Sequence, residues 1–160
     1  MTVDIRPARP GDETDILRLI QALADYEREP DAVEATAAGL AGHLFADSPR
    51  VFAHVAELDG RIVGMAVWFL NFSTWTGRHG IYLEDLFVEP DARRHGIARL
   101  LMTTLATEAK ARNCPRIDWA VLDWNEPAKR FYRTLGAHHT DTWEPWRLTG
   151  DALTALQEEA

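Results

Sequence analysis

The chain has 160 residues, 46 % of them apolar and 26 % charged, which are ordinary proportions for one globular domain spanning residues 1–160. Its 25 acidic and 17 basic side chains give a net charge of −8, which argues against sequence-independent nucleic-acid binding; it would favour a cationic partner, but by itself reads as an aid to solubility. No apolar run is long enough to span a bilayer, the first ten residues lack an apolar signal core, and Cys114 has no second cysteine to pair with, so the expected compartment is the cytoplasm.

"TVDIRPA" alternates up to a proline and predicts a short opening strand. In "GDETDILRLIQALADYERE", Ile16, Leu19, Ile20 and Leu23 fall on one helical face, with Asp12 as the expected cap. "DAVEATAAGLAGHLFADSP" predicts a weaker helix, interrupted by Gly39 and Gly42. "RVFAHVAELDGRIVGMAVWFLNF" reads as a β-hairpin turning at Asp59-Gly60, and "TWTGRHG" as a polar loop. "GIYLEDLFV" is a strand whose only charges, Glu84 and Asp85, lie at its middle.

"HGIARLLMTTLATEAKARN" predicts a helix with Ile97, Leu100, Leu101 and Leu105 as its apolar stripe. "RIDWAVLDW" follows as a strand, and "NEPAKRFYRTLG" as a short helix with Pro127 in its first turn and Gly136 at its C-terminal cap. "WEPWRLTG" is expected to be a last strand and "DALTALQEE" a terminal helix. The pattern predicts an α/β fold, a mixed, mostly antiparallel sheet covered by helices.

The bend between "LFVEP" and "GIARLLM" is suited to an anion. A helix starting near Gly96 presents backbone N–H groups without intrahelical partners, and its dipole favours negative charge there. Gly96 allows close approach to the backbone, and Arg93 and Arg94 add charge suited to phosphate oxygens. An ordinary strand-to-helix connection with solvated arginines has the same composition. Neither Gly-Lys-Ser/Thr nor Gly-x-Gly-x-x-Gly is present at the bend, so neither fingerprint of a nucleotide fold applies.

"YLEDLFVEPDARRHGIARLLM" with "VLDWNEPAKRFYRTLGA" resembles the GNAT superfamily of acetyl-CoA-dependent N-acetyltransferases. Arg93-Arg94-His95-Gly96-Ile97-Ala98 matches its Gln/Arg-x-x-Gly-x-Gly/Ala loop, which binds the pyrophosphate of coenzyme A. "DILRLIQALADYE", "YLEDLFV", "WNEPAKRFY" and "WRL" resemble the diamine (spermidine/spermine) acetyltransferase branch, from Ile5 to about Leu148. The resemblance implies acetyl-CoA as donor, a small amine as acceptor, no metal and a homodimer, while the charge and the lack of a bilayer-spanning run lead us to expect no nucleic-acid or membrane partner. It places Arg93 to Arg99 at the cofactor, with Leu86, Phe87 and Val88 along the pantetheine arm through main-chain groups. Asn125, Pro127, Ala128 and Tyr132 line the other side, and Arg133 is either a cofactor contact or a solvated helix arginine.

Acetyl transfer to an amine needs a base, a donor for the carbonyl oxygen and an acid for the departing sulfur. Glu84 and Asp85 are charges in an apolar strand, costly unless compensated, and strict alternation would put them on opposite faces. A structural ion pair and a solvated acid would explain them equally. By resemblance Glu84 is the base, directly or through water, and Asp85 lies on the substrate. Tyr132 reads first as a packed helical aromatic, and the resemblance makes it the acid. The carbonyl-oxygen donor is expected to be backbone N–H near Leu86.

Glu27 in "ADYERE" and Glu144 in "WEPWRL" match acidic substrate-lining positions of the branch. Trp75, Trp143 and Trp146 are either core residues or flanks for an alkyl chain or cation. In one departure, Ser73-Thr74 precedes Trp75 where the branch carries an acid before Pro-Trp, which favours a shorter diamine, a lysine-like amino acid or another small amine. Acceptors of other GNAT members (amino acids, aminoglycosides, protein N-termini) and a non-catalytic acyl-CoA-binding module remain the alternatives. His138-His139 lacks a third metal ligand at usable spacing, and Cys114 lacks a recognisable partner histidine.

Overall fold

The computed structural model describes residues 2–160. It divides into two compact units, one running up to Ala120 and one comprising Val121–Ala160.

The first unit holds β1 (Val3–Pro7), α1 (Glu13–Tyr26), α2 (Ala37–Leu44), β2 (Phe52–Leu58), β3 (Arg61–Ser73), β4 (Arg78–Val88), α3 (Ile97–Ala111) and β5 (Ile117–Asp118). The strands lie side by side in sequence order, antiparallel from β1 to β4, with β5 added parallel to β4. This is the mixed, mostly antiparallel sheet that the sequence predicts. Asp59 and Gly60 both take positive φ (50° and 80°), the backbone that a tight β2–β3 turn requires.

One core cluster joins Ile16 and Leu19 of α1 and Leu44 of α2 to Ala53, Val55, Met65, Val67 and Phe87 of the sheet. Ile20 and Leu23 pack against it, completing the predicted stripe. From α3, Ile97, Leu101, Met102 and Leu105 are buried. Leu100, expected in that stripe, is 42 % exposed, and Met102 is buried in its stead.

Asp12 does not cap α1 with its side chain. The Arg6 guanidinium claims that carboxylate at 2.6 Å, and the Arg9 amide donates to it at 2.9 Å, while the Glu13 carboxylate accepts from Gly11 N–H. Burial alone would push the Asp12 carboxyl up, but the hydrogen bonds from Arg6 and Arg9 outweigh it and hold the group below its usual range.

On the other side, His54 is 4 % exposed and accepts from the Trp68 indole N–H at 3.1 Å. Phe52 stacks on Trp68 with centroids 4.5 Å apart, and the Arg112 guanidinium lies over both rings. Burial pushes the His54 pKa down; Glu108, 3.8 Å away, opposes that and Arg112 reinforces it.

The second unit holds α4 (Glu126–Thr134) and α5 (Gly150–Glu158). Pro127 lies in the first turn of α4, and Gly136, at φ 82°, ends it as the sequence predicts. Asn125 caps α4, its side-chain oxygen accepting from Ala128 N–H at 3.3 Å. The strand expected at "WEPWRLTG" is not formed. Pro145 removes a ladder donor, and within this unit no strand is available to pair with. "RIDWAVLDW" is likewise a strand only at Ile117–Asp118.

Candidate active site

β4 carries the acidic part of the site. Val67 of β3 pairs with Asp85 and Trp68 pairs with Leu83, so Glu84 is an extra residue in a β-bulge. The bulge cancels the alternation that would have separated the two acids. Glu84 is exposed and Asp85 half-buried. Burial first, then the charges of Glu84 and Glu27, push the Asp85 carboxyl up to about 6. The strict alternation expected from sequence is therefore interrupted between these two residues.

Glu27 is brought in by α1, whose C-terminal cap it forms, and burial pushes its carboxyl up too. Tyr82, whose ring lies 5.1 Å from that of Phe69, has its phenol pushed up by burial and then by Glu84 and Asp118. Glu27, Glu84 and Asp85 thus form one electrostatically connected group within the first unit. The negative potential there favours a cation.

Trp75 is not part of that group. It is 88 % exposed in the β3–β4 turn, past the Ser73–Arg78 pair. At a rise of about 3.3 Å per residue, the hairpin carries it roughly 20 Å beyond Asp85 along the strand. Ser73 and Thr74, the departure from the branch pattern, share that tip.

Beyond Val88 the chain makes a 3₁₀ turn at Pro90–Ala92 and enters α3 through a loop. Arg94 and Gly96 both have φ 71°. The first α3 bond runs from Leu100 N–H to Gly96 O, so the amides of Ile97 and Ala98 come before any helical acceptor. Nothing lies within 4 Å of where a Gly96 Cβ would be, which leaves room for a ligand over the backbone. Arg94, His95 and Arg99 are exposed around it. The Ile97 and Phe87 side chains are core residues, so only their main chain can face a ligand.

Arg93 is itself held by protein groups. Its Nε donates to Val88 O at 2.9 Å, and its guanidinium carbon lies 5.7 Å from the Tyr26 ring centroid and 5.8 Å from that of Phe87. Tyr26 was not singled out from sequence; the signal was an aromatic residue directly before Glu27. The loop itself is held from below by Glu89, which pairs with Arg18 and, at 3.0 Å, with Arg61.

β5 pairs with β4 only at Ile81 and Tyr82, and among the described residues no strand pairs with the Leu83–Val88 stretch of β4 on that side. Leu86 and Val88 therefore present main-chain groups along an open edge, although Val88 O is already engaged by Arg93. An extended amide-bearing chain could add there as a strand would. The open edge and the amide-lined, arginine-bearing loop fit the pantetheine and diphosphate of coenzyme A.

The remaining candidates belong to the second unit. Tyr132 is half-buried on α4, its ring 5.6 Å from that of Phe131, and Pro127, Ala128 and Arg133 share the helix. Glu144, Trp143 and Trp146 are exposed in the segment between α4 and α5.

A strand edge beside an amide-lined helix start, with carboxylates on the same strand, is an arrangement suited to an acyl-CoA-dependent transferase acting on an amine. The comparisons agree. Residues 16–137 match the model of the Acetyltransferase (GNAT) family, and the chain belongs to that family and is an N-acetyltransferase. It is 36 % identical over 166 residues to the thialysine N-epsilon-acetyltransferase of Sus scrofa, covering 97 % of each chain. It is 30 % identical to the L-ornithine N5-acetyltransferase of Arabidopsis thaliana, over 96 % of this chain and 87 % of that one. Among solved structures, an integron cassette protein from the mobile metagenome of V. cholerae superposes with a TM-score of 0.82 at 30 % identity, covering 99 % of both chains. No helix among the described residues is long and apolar enough to cross a membrane.

Proposed function

We propose that the chain acetylates the primary amine of a small cationic substrate of the thialysine, ornithine or diamine kind, by direct attack in a ternary complex with acetyl-CoA. Bound acetyl-CoA supplies the activated acyl carbon. Asp85, pushed up to about 6, is ionised at neutral pH yet basic enough to take a proton from the ammonium group, directly or through water. Glu84, the base implied by resemblance, instead tunes Asp85 and, with Glu27, draws the cation in. The main-chain N–H near Leu86 serves the carbonyl oxygen, and the Tyr132 phenol gives up the proton that the departing sulfur requires. The amides of Gly96, Ile97 and Ala98, with Arg94, hold the diphosphate. Asn125 starts the helix that carries Tyr132.

The observation that carries this reading is the half-buried Asp85 carboxyl, raised towards neutrality and flanked by two further acids. Similarity to the thialysine and ornithine enzymes supports an amino-acid-sized acceptor. The chemistry calls for no metal, and we extend the proposal to one catalytic domain acting as a homodimer in the cytoplasm. Release of free thiol, measured with thialysine, L-ornithine, putrescine, spermidine, an aminoglycoside and a peptide, tests the acceptor. Turnover on the first four is expected. Turnover confined to the aminoglycoside or the peptide overturns the reading.

A further inference from the structure

Arg93 stands at the first position of the loop, and its side chain is engaged by the protein itself. One guanidinium touches three groups on two elements: the Val88 carbonyl at the end of β4 (2.9 Å), the Phe87 ring of the same strand (5.8 Å) and the Tyr26 ring at the last residue of α1 (5.7 Å). The planar fork allows this combination, since Nε can serve a carbonyl while the flat face covers aromatic rings. The main chain of the same residue leads straight into Arg94, in the left-handed region, and on to Gly96. Tyr26 is followed directly by Glu27, whose charge bears on Asp85.

We propose that Arg93 is a positioning residue that couples the cofactor loop to the acceptor side, clamping Tyr26 and with it Glu27. The proposal rests on the acceptor reading given above. A ligand that orders the loop fixes the Arg93 backbone, and the side chain passes that order to the end of α1. By reciprocity, an acceptor amine that settles Glu27 and Asp85 improves the grip on coenzyme A by the same factor. The contacts involved are a partly exposed cation–π pair and one charged hydrogen bond, so the coupling factor expected is about three- to tenfold.

The test uses free coenzyme A and thialysine, a pair that cannot react. Calorimetry of coenzyme A binding, with and without saturating thialysine, reads the coupling factor in the wild type, Arg93→Met, Arg93→Lys, Tyr26→Leu and the Arg93→Met/Tyr26→Leu double variant. Both single losses should bring the factor close to one, and the double variant should go no further. Arg93→Lys, which keeps charge without the flat fork, should recover only part of it. In turnover, Arg93→Met and Tyr26→Leu should raise the acceptor KM about three- to tenfold with a smaller change in kcat.

A phosphate-binding Arg93 would behave differently: coenzyme A alone would bind more weakly while the coupling factor stayed at its wild-type value. That outcome overturns the proposal. Should Arg93→Met fail to fold, Tyr26→Leu decides alone, because wild-type coupling in that variant is equally fatal. A wild type that turns over no amine in the panel removes the functional reading and this proposal together. Turnover with unaltered coupling in the variants removes this proposal only.

Discussion

Glu84 has no cross-strand partner on β3, and its charge raises the carboxyl of its neighbour Asp85. The two acids therefore have unequal parts, one exposed and one half-buried, and their substitutions should differ in kind. Asp85→Asn should lower kcat/KM by about 10²- to 10⁴-fold, the range for losing a general base. Glu84→Gln should cost much less, but should move the acidic limb of the pH–rate profile below its wild-type position near 6, because one charge opposing ionisation of Asp85 is gone. Profiles of kcat/KM between pH 5 and pH 9 check both. An acidic limb that stays in place in Glu84→Gln and an active Asp85→Asn would return the role of base to Glu84.

The raised pKa of Asp85 also has a stability consequence with a definite sign. Its folded value, about 6, lies above the ordinary 3.8, so its contribution to stability is complete below 3.8 and is lost as pH rises through 6. Asp85→Asn should then unfold at a higher temperature than the wild type at pH 8, with the gap closing towards pH 4. Thermal denaturation at the two pH values measures this. A midpoint unchanged or lowered at pH 8 would show that Asp85 bears no cost of burial.

His54 works in the opposite direction. Its pKa is held below the ordinary 6.5 by burial, and the Trp68 N–H occupies the nitrogen that a second proton would need. An unfolded chain takes up that proton first, so this contribution is lost as pH falls below 6.5. Trp68→Phe keeps most of the packing but removes the donor. It should lower stability by about 1–3 kcal/mol at pH 8, from the unpaired buried nitrogen, and by less at pH 5. Denaturant melts at each pH decide it.

The Arg6–Asp12 pair offers a cleaner stability test. A capping aspartate would be replaced well by serine, whereas an ion-paired one would not. Because Arg6 is mostly buried and also bonds Glu57 at 3.0 Å, both Asp12→Ala and Asp12→Ser should cost about 2–4 kcal/mol. Chemical denaturation would show it, and rescue by serine would restore the cap.

Gly96→Ala meets no steric obstacle, since the space around it is open, but it must hold φ at 71°. It should cost about 1 kcal/mol of stability and weaken coenzyme A binding measurably. Tyr132→Phe should leave that binding alone and cut turnover strongly. Calorimetry beside initial rates separates the two effects.

Much of the architecture was legible because local chemistry dictated it. Asp59-Gly60 could hardly be anything but a turn, and Ile16, Leu19, Ile20 and Leu23 announce one buried helix face. A helix start near Gly96 was legible from a short motif, while the left-handed backbone of Gly96 and Arg94 was not. What was hidden depends on register and on competition between partners. The bulge at Glu84 exists only in the offset between β3 and β4, which neither strand's own sequence records. Asp12 looked like a cap because Arg6, six residues away, could not be seen to outbid the helix amides. Register and competition also set Arg93 against Val88 O and the Tyr26 ring and leave Trp75 exposed at the β3–β4 tip, placements that neither residue type announces.

The stretch of β4 from Leu83 to Val88, which among the described residues has no strand neighbour on one side, bears on how the protein behaves at high concentration. Naked sheet margins invite pairing with foreign chains, and a donor molecule lying along this one would act as a detachable strand that masks the hazard. Binding of that kind also stabilises the native state by mass action. Solubility of the purified enzyme should therefore rise with coenzyme A, acetylated or free, because both carry the arm that would lie along this strand.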